Sequence, residues 1–359
     1  MGTTLRSRRA LAAVLIVIVA VSVTGASTYA LTNNQKISQQ NYLLSLVLLQ
    51  LGQARIVSLA PNIDEILAGL GLENNIVGVT SNVPSGVPME DYYYPPSLIQ
   101  LISEGKINNG LNWWSPSVES VLALNPSIVL LDGGAPNQVQ LYSNLLSRGI
   151  FSYLVNEGNN FAQIEGSILQ IGGIFGRNSE AQALVNAMNT KISTVENDVS
   201  NQTVLNVLYV VEIDFGTQNS VYTVGSDTFQ NEIISSAGGL NVFPIGTGFP
   251  QKSFAEVETA NPDVIVISAT YNNVNTLMTE IAANPQLSAT NAYHNNAIYF
   301  TQNQADNIFS RAGPRVAEAV QVLAHLLHPG AFNMTALPMG FTLDNSNYQN
   351  YASPLLPIS

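Results

Sequence analysis

Few side chains in this sequence are equipped for bond-making chemistry. There are three histidines and no cysteine, so disulfides, thiolate metal sites and a cysteine nucleophile are excluded. His325 and His328 share one face of a predicted helix at i, i+3, a spacing that either holds a metal ion or complements the helix carboxyl end before Pro329. No HExxH, EF-hand loop, Walker A, GxSxG or GxGxxG motif stands in a supporting context. Gly172-Gly173 and Gly238-Gly239 read as helix ends. No enzyme is expected. What the chain does concentrate is flat aromatic surface. Tyr92, Tyr93, Tyr94, Trp113 and Trp114 fall in loops between strand-like segments, and the last two are its only tryptophans. Core filling is the plain role for such residues, but adjacent aromatics beside Pro116 in a polar context cannot both occupy one buried face.

Composition narrows the class. Charged residues make up 10% of the chain, against about a quarter in ordinary globular proteins, while Asn, Gln, Ser and Thr are abundant. The net charge of -12 leaves no basic patch to neutralise phosphates, and nucleic-acid binding is not expected. Sparse charge carried mostly by acid-titrating groups suits a chain working in an acidic medium. A length of 359 residues suffices for two domain cores.

Arg6, Arg8 and Arg9 precede an uncharged stretch from Ala10 to Leu31 that is long enough to span a bilayer. Residues 1–31 are therefore expected to be a signal or membrane anchor. Thr24-Gly25-Ala26 and Thr28-Tyr29-Ala30 are the only, weak, cleavage patterns, and the uncleaved anchor is the preferred reading; cleavage would make the protein secreted. The positive-inside rule leaves the arginines in the cytoplasm and the remainder outside. Ser7 to Leu11 resembles a twin-arginine export signal, with ordinary flanking charge as the alternative. Residues 32–54 read as a spacer carrying an unassigned apolar patch from Tyr42 to Leu51. Asn201-Gln202-Thr203 and Asn333-Met334-Thr335 are glycan acceptors on any export route that glycosylates.

From Arg55 onward, apolar β-rich runs alternate with helical patterns: Ile56 to Leu59, Ile76 to Val79, Ile128 to Leu131 and Phe151 to Val155, then Val204 to Val211, Val264 to Ile267 and Ala297 to Thr301. Such alternation predicts parallel sheets covered by helices. Ser179 to Val199 has no Gly or Pro and keeps apolar residues at helical spacing, so it predicts one long helix. An internal repeat supports two similar lobes: SVESVLALNPSIVLL (Ser117 to Leu131) and SFAEVETANPDVIVI (Ser253 to Ile267) align without gaps at an offset of 136. Each copy reads as a short helix, an Asn-Pro turn and a buried strand. The expected division is 55–177 for one lobe, 178–202 for a linking helix, 203–329 for the second lobe and 330–359 for an irregular tail.

Five blocks in order carry a family resemblance: RIVSLAPNIDEILAGLGLENNIVGVT (Arg55 to Thr80), the Tyr92-Tyr93-Tyr94-Pro95-Pro96 loop, SVESVLALNPSIVLL, VYTVGSDTFQNEIISSAGGLNVF (Val221 to Phe243) and SRAGPRVAEAVQVLAHLLHP (Ser310 to Pro329). Together they resemble the cobalamin and ferric-siderophore, or metal-chelate, class of ABC-importer solute-binding proteins. The resemblance implies an α/β fold of two Rossmann-like lobes with parallel sheets, joined by one long interdomain helix, with a ligand cleft between the lobes. It implies a monomer holding a bulky metal chelate, a corrinoid, siderophore or haem, as cargo and no cofactor of its own, and an ABC importer's membrane subunits as partner. A cleft for such ligands needs flat, sparsely charged walls, which gives Tyr92, Tyr93, Tyr94, Trp113 and Trp114 from the first lobe and Phe215, Phe249 and the loop Asn303 to Arg311 from the second. By resemblance Arg311 stands where a ligand can be met, whereas Arg315 could equally pair with a helix carboxylate. Glu119 matches the family's importer-docking carboxylate. The second repeat departs from that pattern, with Ala255 at the equivalent place and Glu256 as its nearest acid. Exposed carboxylates at helix starts are also favoured by the macrodipole alone. A surface structural or adhesive protein, or a metal-ion-binding protein, are the competing classes.

Overall fold

The computed structural model describes residues 53–80, 96–156, 158–269 and 272–355, with the isolated helical positions Leu43 and Val47. The expected anchor 1–31, nearly all of the spacer 32–54, and Tyr92, Tyr93 and Tyr94 lie outside the described residues. No helix of the described residues is long and apolar enough to cross a membrane. The described residues form two compact units, one from 53–80, 96–156 and 169–181, the other from 158–168, 182–269 and 272–355.

In the first unit the chain runs β1 (Ile56–Ser58), α1 (Pro61–Gly69), β2 (Ile76–Thr80), α2 (Pro96–Ser103), β3 (Asn108–Leu111), α3 (Val118–Ala123), β4 (Ile128–Asp132), α4 (Pro136–Ser147) and β5 (Ser152–Val155). The helices α5 (Phe161–Ile174) and α6 (Asn178–Val199) follow, the latter being the long helix read from the sequence. The five strands lie in the order β3-β2-β1-β4-β5, and their pairings are all parallel. Parallel strands are buried on both faces, which is why β1 and β4 read as unbroken apolar runs. Val57, Leu59, Val129 and Leu131 pack with Val121, Leu141 and Leu145 on one face, each contributing about 1.5–3 kcal/mol of transfer free energy. Pro61 and Pro136 both open their helices at the first turn, where a missing N–H costs nothing. Gly133 is required by close approach, because a Cβ there would stand 2.7 Å from the Val155 carbonyl oxygen.

The second unit continues with β6 (Leu205–Asp214), β7 (Ser220–Thr223), α7 (Phe229–Ser236), β8 (Gly239–Asn241), β9 (Gln251–Ser253), α8 (Phe254–Ala260) and β10 (Val264–Ser268). It ends with α9 (Val274–Ala283), α10 (Pro285–Ser288), α11 (Asn291–His294), β11 (Ile298–Thr301), α12 (Asn303–Ser310), α13 (Val316–Leu327) and β12 (Phe341–Leu343). Its sheet runs β12-β11-β10-β6-β7-β9, with β8 on β6, and differs from the all-parallel expectation at one edge. There β7 pairs antiparallel with both β6 and β9, because Asp214 closes a tight turn by accepting from the Gly216, Thr217 and Gln218 N–H groups.

The irregular tail expected over 330–359 is corrected. β12 adds to the sheet as a parallel partner of β11, and Tyr348, Tyr351 and Ala352 are buried. Lys191 Nζ donates to the Ser353 carbonyl and hydroxyl oxygens, and the Leu355 N–H donates to Glu318 Oε1 at 2.8 Å. The segment has no periodicity of its own because it uses one three-residue strand and side-chain anchors instead of an amphipathic face.

The two repeat copies fold alike. Ser117 caps α3 by accepting from the Ser120 N–H, and Ser253 caps α8 by accepting from the Glu256 N–H. Asn125 and Asn261, each before a proline, take the left-handed conformation at φ 48 and φ 45, turning the helix end straight into β4 or β10. A β-branched residue pays about 1–2 kcal/mol there. Asn125→Val and Asn261→Val should each lower stability by about that amount, whereas Asn→Gly at either site should be nearly neutral. Urea unfolding measures both, and equal midpoints for Val and Gly would contradict the assigned backbone.

Candidate functional site

The strand order of the first unit reverses direction between β1 and β4, since the chain leaves β1 toward β2 on one side and returns to β4 on the other. In open parallel sheets the crevice outside the carboxyl ends at such a reversal is where ligands bind. Leu59 and Ala60 follow β1 at this edge, and Asp132 ends β4. The loop from β3 to α3 carries Trp113 and Trp114, whose rings meet edge to face with centroids 4.4 Å apart. Trp113 is half-buried and Trp114 is 68% exposed, so the pair does not fill a core. The loop is held by its backbone: Asn137 Nδ2 donates to the Trp114 carbonyl at 2.8 Å and Gln138 Nε2 to the Trp113 carbonyl at 3.1 Å. The Ser115 N–H donates to Asn112 Oδ1 at 2.9 Å.

Asp132 was not singled out from the sequence, where it reads as the polar end of an apolar run. Its half-buried carboxyl accepts from the Gly134 N–H at 2.9 Å, and burial raises its pKa above the ordinary aspartate value against that hydrogen bond. Gln138 was missed too, because only the folded register brings it to this edge.

The second unit presents its own aromatic loop. Residues 244–250 are tied down by the Gly225 N–H donating to the Gly248 carbonyl at 2.8 Å and the Gly248 N–H donating to Asp227 Oδ1 at 2.7 Å. The loop leaves Ile245 87% and Phe249 50% exposed. Phe215 behaves differently: it is half-buried, stands 5.3 Å from Phe254 and packs on the sheet core. Arg311 is buried at the carboxyl end of α12. Arg315 takes the helix-carboxylate alternative, facing Glu318 at 3.4 Å while donating to Gln304 Oε1 and the Tyr348 hydroxyl.

Glu119 lies in the first turn of α3 with its side chain 77% exposed, 3.4 Å from Arg148. Glu256 is engaged differently, since it completes a capping box with Ser253 and also accepts from Lys252. Those hydrogen bonds from the Ser253 backbone and hydroxyl hold its carboxyl below the usual glutamate range. His325 and His328 do not converge. His325 Nδ1 is 2.7 Å from the Gln321 carbonyl and its ring stacks on Phe332, whereas His328 Nε2 reaches the Gly238 carbonyl at 3.2 Å. Burial lowers both pKa values against the hydrogen bonds to the Gln321 and Gly238 carbonyls. No group of three metal-ligating side chains occurs among the described residues.

The profile of the periplasmic binding protein family matches residues 56–305. The chain belongs to this family. An uncharacterised ABC transporter substrate-binding lipoprotein of Bacillus subtilis, YvrC, is 28% identical over 286 residues, covering 77% of this chain and 81% of that protein. The vitamin B12-binding protein of Yersinia pestis is 26% identical over 270 residues, covering 75% of this chain and 84% of its own length. Among solved structures, the periplasmic haem-binding protein HutB of Vibrio cholerae superposes with a TM-score of 0.62 at 21% identity, over 77% of this chain and 99% of that one. The fold is the two-lobed α/β fold of these proteins, and the chain is an ABC-type substrate-binding protein, a class of transport proteins and not of enzymes.

Asp132 offers a pH test. A carboxyl whose folded pKa is raised takes up protons on folding, so its cost to stability is absent below the unfolded value of 3.8 and is fully present above the folded one. Asp132→Asn keeps an acceptor for the Gly134 N–H and removes that cost. Its urea midpoint should exceed wild type at pH 7 and converge with it below pH 3.8; a midpoint below wild type at pH 7 would contradict the assigned burial.

Proposed function

We infer that the protein is an extracytoplasmic solute-binding protein that delivers a bulky metal chelate with a neutral, amide-rich rim, a corrinoid above all, to an ABC importer. The observation that carries this reading is the edge-to-face Trp113–Trp114 pair, with Trp114 exposed, on a loop that Gln138 ties to the end of β4 at the strand reversal of the first unit. Flat conjugated rings stack on indoles, and a carboxylate with nearby backbone carbonyls accepts from ligand N–H donors. The described cations other than Arg311 are engaged elsewhere, which favours a largely neutral rim over an anionic one. Arg55 donates to the Leu124 and Asn125 carbonyls, Lys106, Arg148, Arg177 and Lys252 face carboxylates, and Lys191 and Arg315 serve the carboxyl-terminal segment. A relative that binds vitamin B12 by name lends support. Tyr92, Tyr93 and Tyr94 are retained as further ligand contacts in this proposal.

Attachment follows from composition. YvrC is named a lipoprotein, but this chain has no cysteine to lipidate, so we assign membrane tethering to the uncleaved segment from Ala10 to Leu31. Docking on the importer is assigned to Glu119, whose carboxylate is exposed at a helix start. Glu256 is secondary, because its carboxylate is committed to a capping box.

Cyanocobalamin added to the purified protein should bind one to one and quench emission from Trp113 and Trp114. Tight binding of haemin or a ferric siderophore, with none of cyanocobalamin, would overturn the corrinoid assignment. In reconstituted vesicles, Glu119→Arg should leave affinity unchanged and lower transport severalfold, since charge reversal at an interface costs several kcal/mol where an exposed pair contributes about 0.2–1 kcal/mol. Wild-type transport by this variant would remove the docking role.

A further inference from the structure

Between two parallel strands every second residue turns both its N–H and its carbonyl to the neighbour, donating to one and accepting from the other of the two residues that flank its partner. The β1–β4 register pairs Ser58 with Leu130, and the Leu59 N–H accordingly donates to the Leu130 carbonyl at 3.0 Å. The next rung belongs to the Asp132 N–H and the Leu59 carbonyl. Both groups turn instead to Gln138. The Asp132 N–H donates to Gln138 Oε1 at 2.8 Å, and Gln138 Nε2 donates to the Leu59 carbonyl at 2.8 Å. The side-chain amide stands in the ladder as an extra peptide group, and its other N–H is spent on the Trp113 carbonyl at 3.1 Å. Gln138 is fully buried.

The local sequence explains how the amide comes to be there. Gln138 is the third residue of α4, a position from which Gln commonly reaches back to the N-cap backbone. Here the N-cap is Ala135, which makes no side-chain cap bond, and the chain bends so sharply at Gly133 that the side chain meets the end of β4. The neighbouring Asn137 takes the Trp114 carbonyl, so two consecutive amides on one helix start hold the backbone of both tryptophans.

We propose that Gln138 is a positioning residue for solute recognition: its amide separates β1 from β4 at their carboxyl ends and fixes the Trp113–Trp114 loop beside the opening. The assignment rests on the reading that this edge meets the solute. Neighbouring strands joined by direct rungs lie about 4.8 Å apart, so an inserted amide opens the crevice where the strand order reverses. No other uncharged side chain of similar size offers two donors and an acceptor from one rigid plane. A glutamate can satisfy the Asp132 N–H but, ionised, sets a negative oxygen against the Leu59 and Trp113 carbonyls; protonated, it can donate to one of them.

The test uses the full chain and its two tryptophans. Time-resolved tryptophan anisotropy without solute reads the loop, and cyanocobalamin titration reads recognition. Gln138→Met should add a nanosecond depolarisation and weaken cyanocobalamin binding about tenfold at every pH. Gln138→Glu should do the same at pH 7 and recover toward wild type when acidified through the glutamate pKa, a recovery that a packing defect does not produce. A lower melting temperature with wild-type anisotropy and affinity would overturn the proposal by making Gln138 structural only. If wild type ignores cyanocobalamin, the corrinoid reading fails while the solute-free anisotropy still decides the loop. If Gln138→Met does not fold, side-chain amide exchange in wild type decides: slow, inequivalent Gln138 protons support the inserted amide, and free-glutamine exchange rates overturn it.

Discussion

A buried backbone carbonyl must find a donor, and at Leu59 that requirement shapes the first unit. The β1–β4 register runs to Ser58 and Leu130, the Leu59 N–H still donates to the Leu130 carbonyl, and there the direct rungs stop. Completing it directly would close the sheet edge at the point where the strand order reverses. Supplying the donor from Gln138 keeps the carbonyl satisfied and the edge open, and it ties the loop after β3 to the same amide. The cost is a dependence on one side chain: an orphaned carbonyl and N–H in a dry interior are each worth about 1–3 kcal/mol. The raised pKa of Asp132 is a second cost at the same edge. Sites that recognise ligands commonly carry such local penalties, and buried strands on either side of this one absorb them.

The uncharged polar composition has a structural use elsewhere. Every non-glycine residue with positive φ among the described residues is an asparagine: Asn125, Asn219, Asn261, Asn296, Asn303 and Asn333. Asparagine tolerates that region because its short amide bonds locally to backbone. Helix starts draw on the same pool, with Ser117, Thr228, Ser253, Asn273, Asn284 and Thr290 accepting from first-turn N–H groups. Two of these caps and two of these asparagines belong to the repeat, so the copies share the devices that begin the helix and turn it into the strand as well as an apolar pattern.

The strands that were legible from the sequence, such as Ile128 to Leu131 and Val264 to Ile267, are central and buried on both faces, so hydrophobicity alone marks them. Asn108–Leu111, Gln251–Ser253 and Phe341–Leu343 were not, since they are short edge strands whose pairing comes from neighbours distant in sequence. The Trp113–Trp114 pair was legible because two large aromatics in a polar stretch violate ordinary core patterning. Gln138 was illegible for the opposite reason: a glutamine near a helix start breaks no rule, and its role exists only once β1, β4 and the tryptophan loop are brought together. Phe215, an aromatic following a strand end, is half-buried against Phe254, a packing that the sequence pattern does not reveal.

Sparse charge also changes how the fold meets acid. Hydroxyl and amide caps do not titrate, so the helix starts that they alone hold are indifferent to pH and little screened by salt, whereas α8 also depends on the Glu256 carboxylate of its capping box. The ionised groups that are used tend to be held low. Glu180 is brought to about 2 by the Ser179 hydroxyl and then Arg177, and hydrogen bonds from the Gly216 N–H and the Thr217 hydroxyl keep Asp214 below its ordinary value. A carboxylate depressed in this way stabilises above its unfolded pKa and loses that contribution only as pH falls through the folded one. Acid therefore reaches Asp132 before it reaches Glu180 or Asp214. As pH falls, the carboxyl at the end of β4 becomes neutral while the carboxylates that brace the β6–β7 turn and the start of α6 remain ionised, so acid changes this strand edge before it loosens those braces.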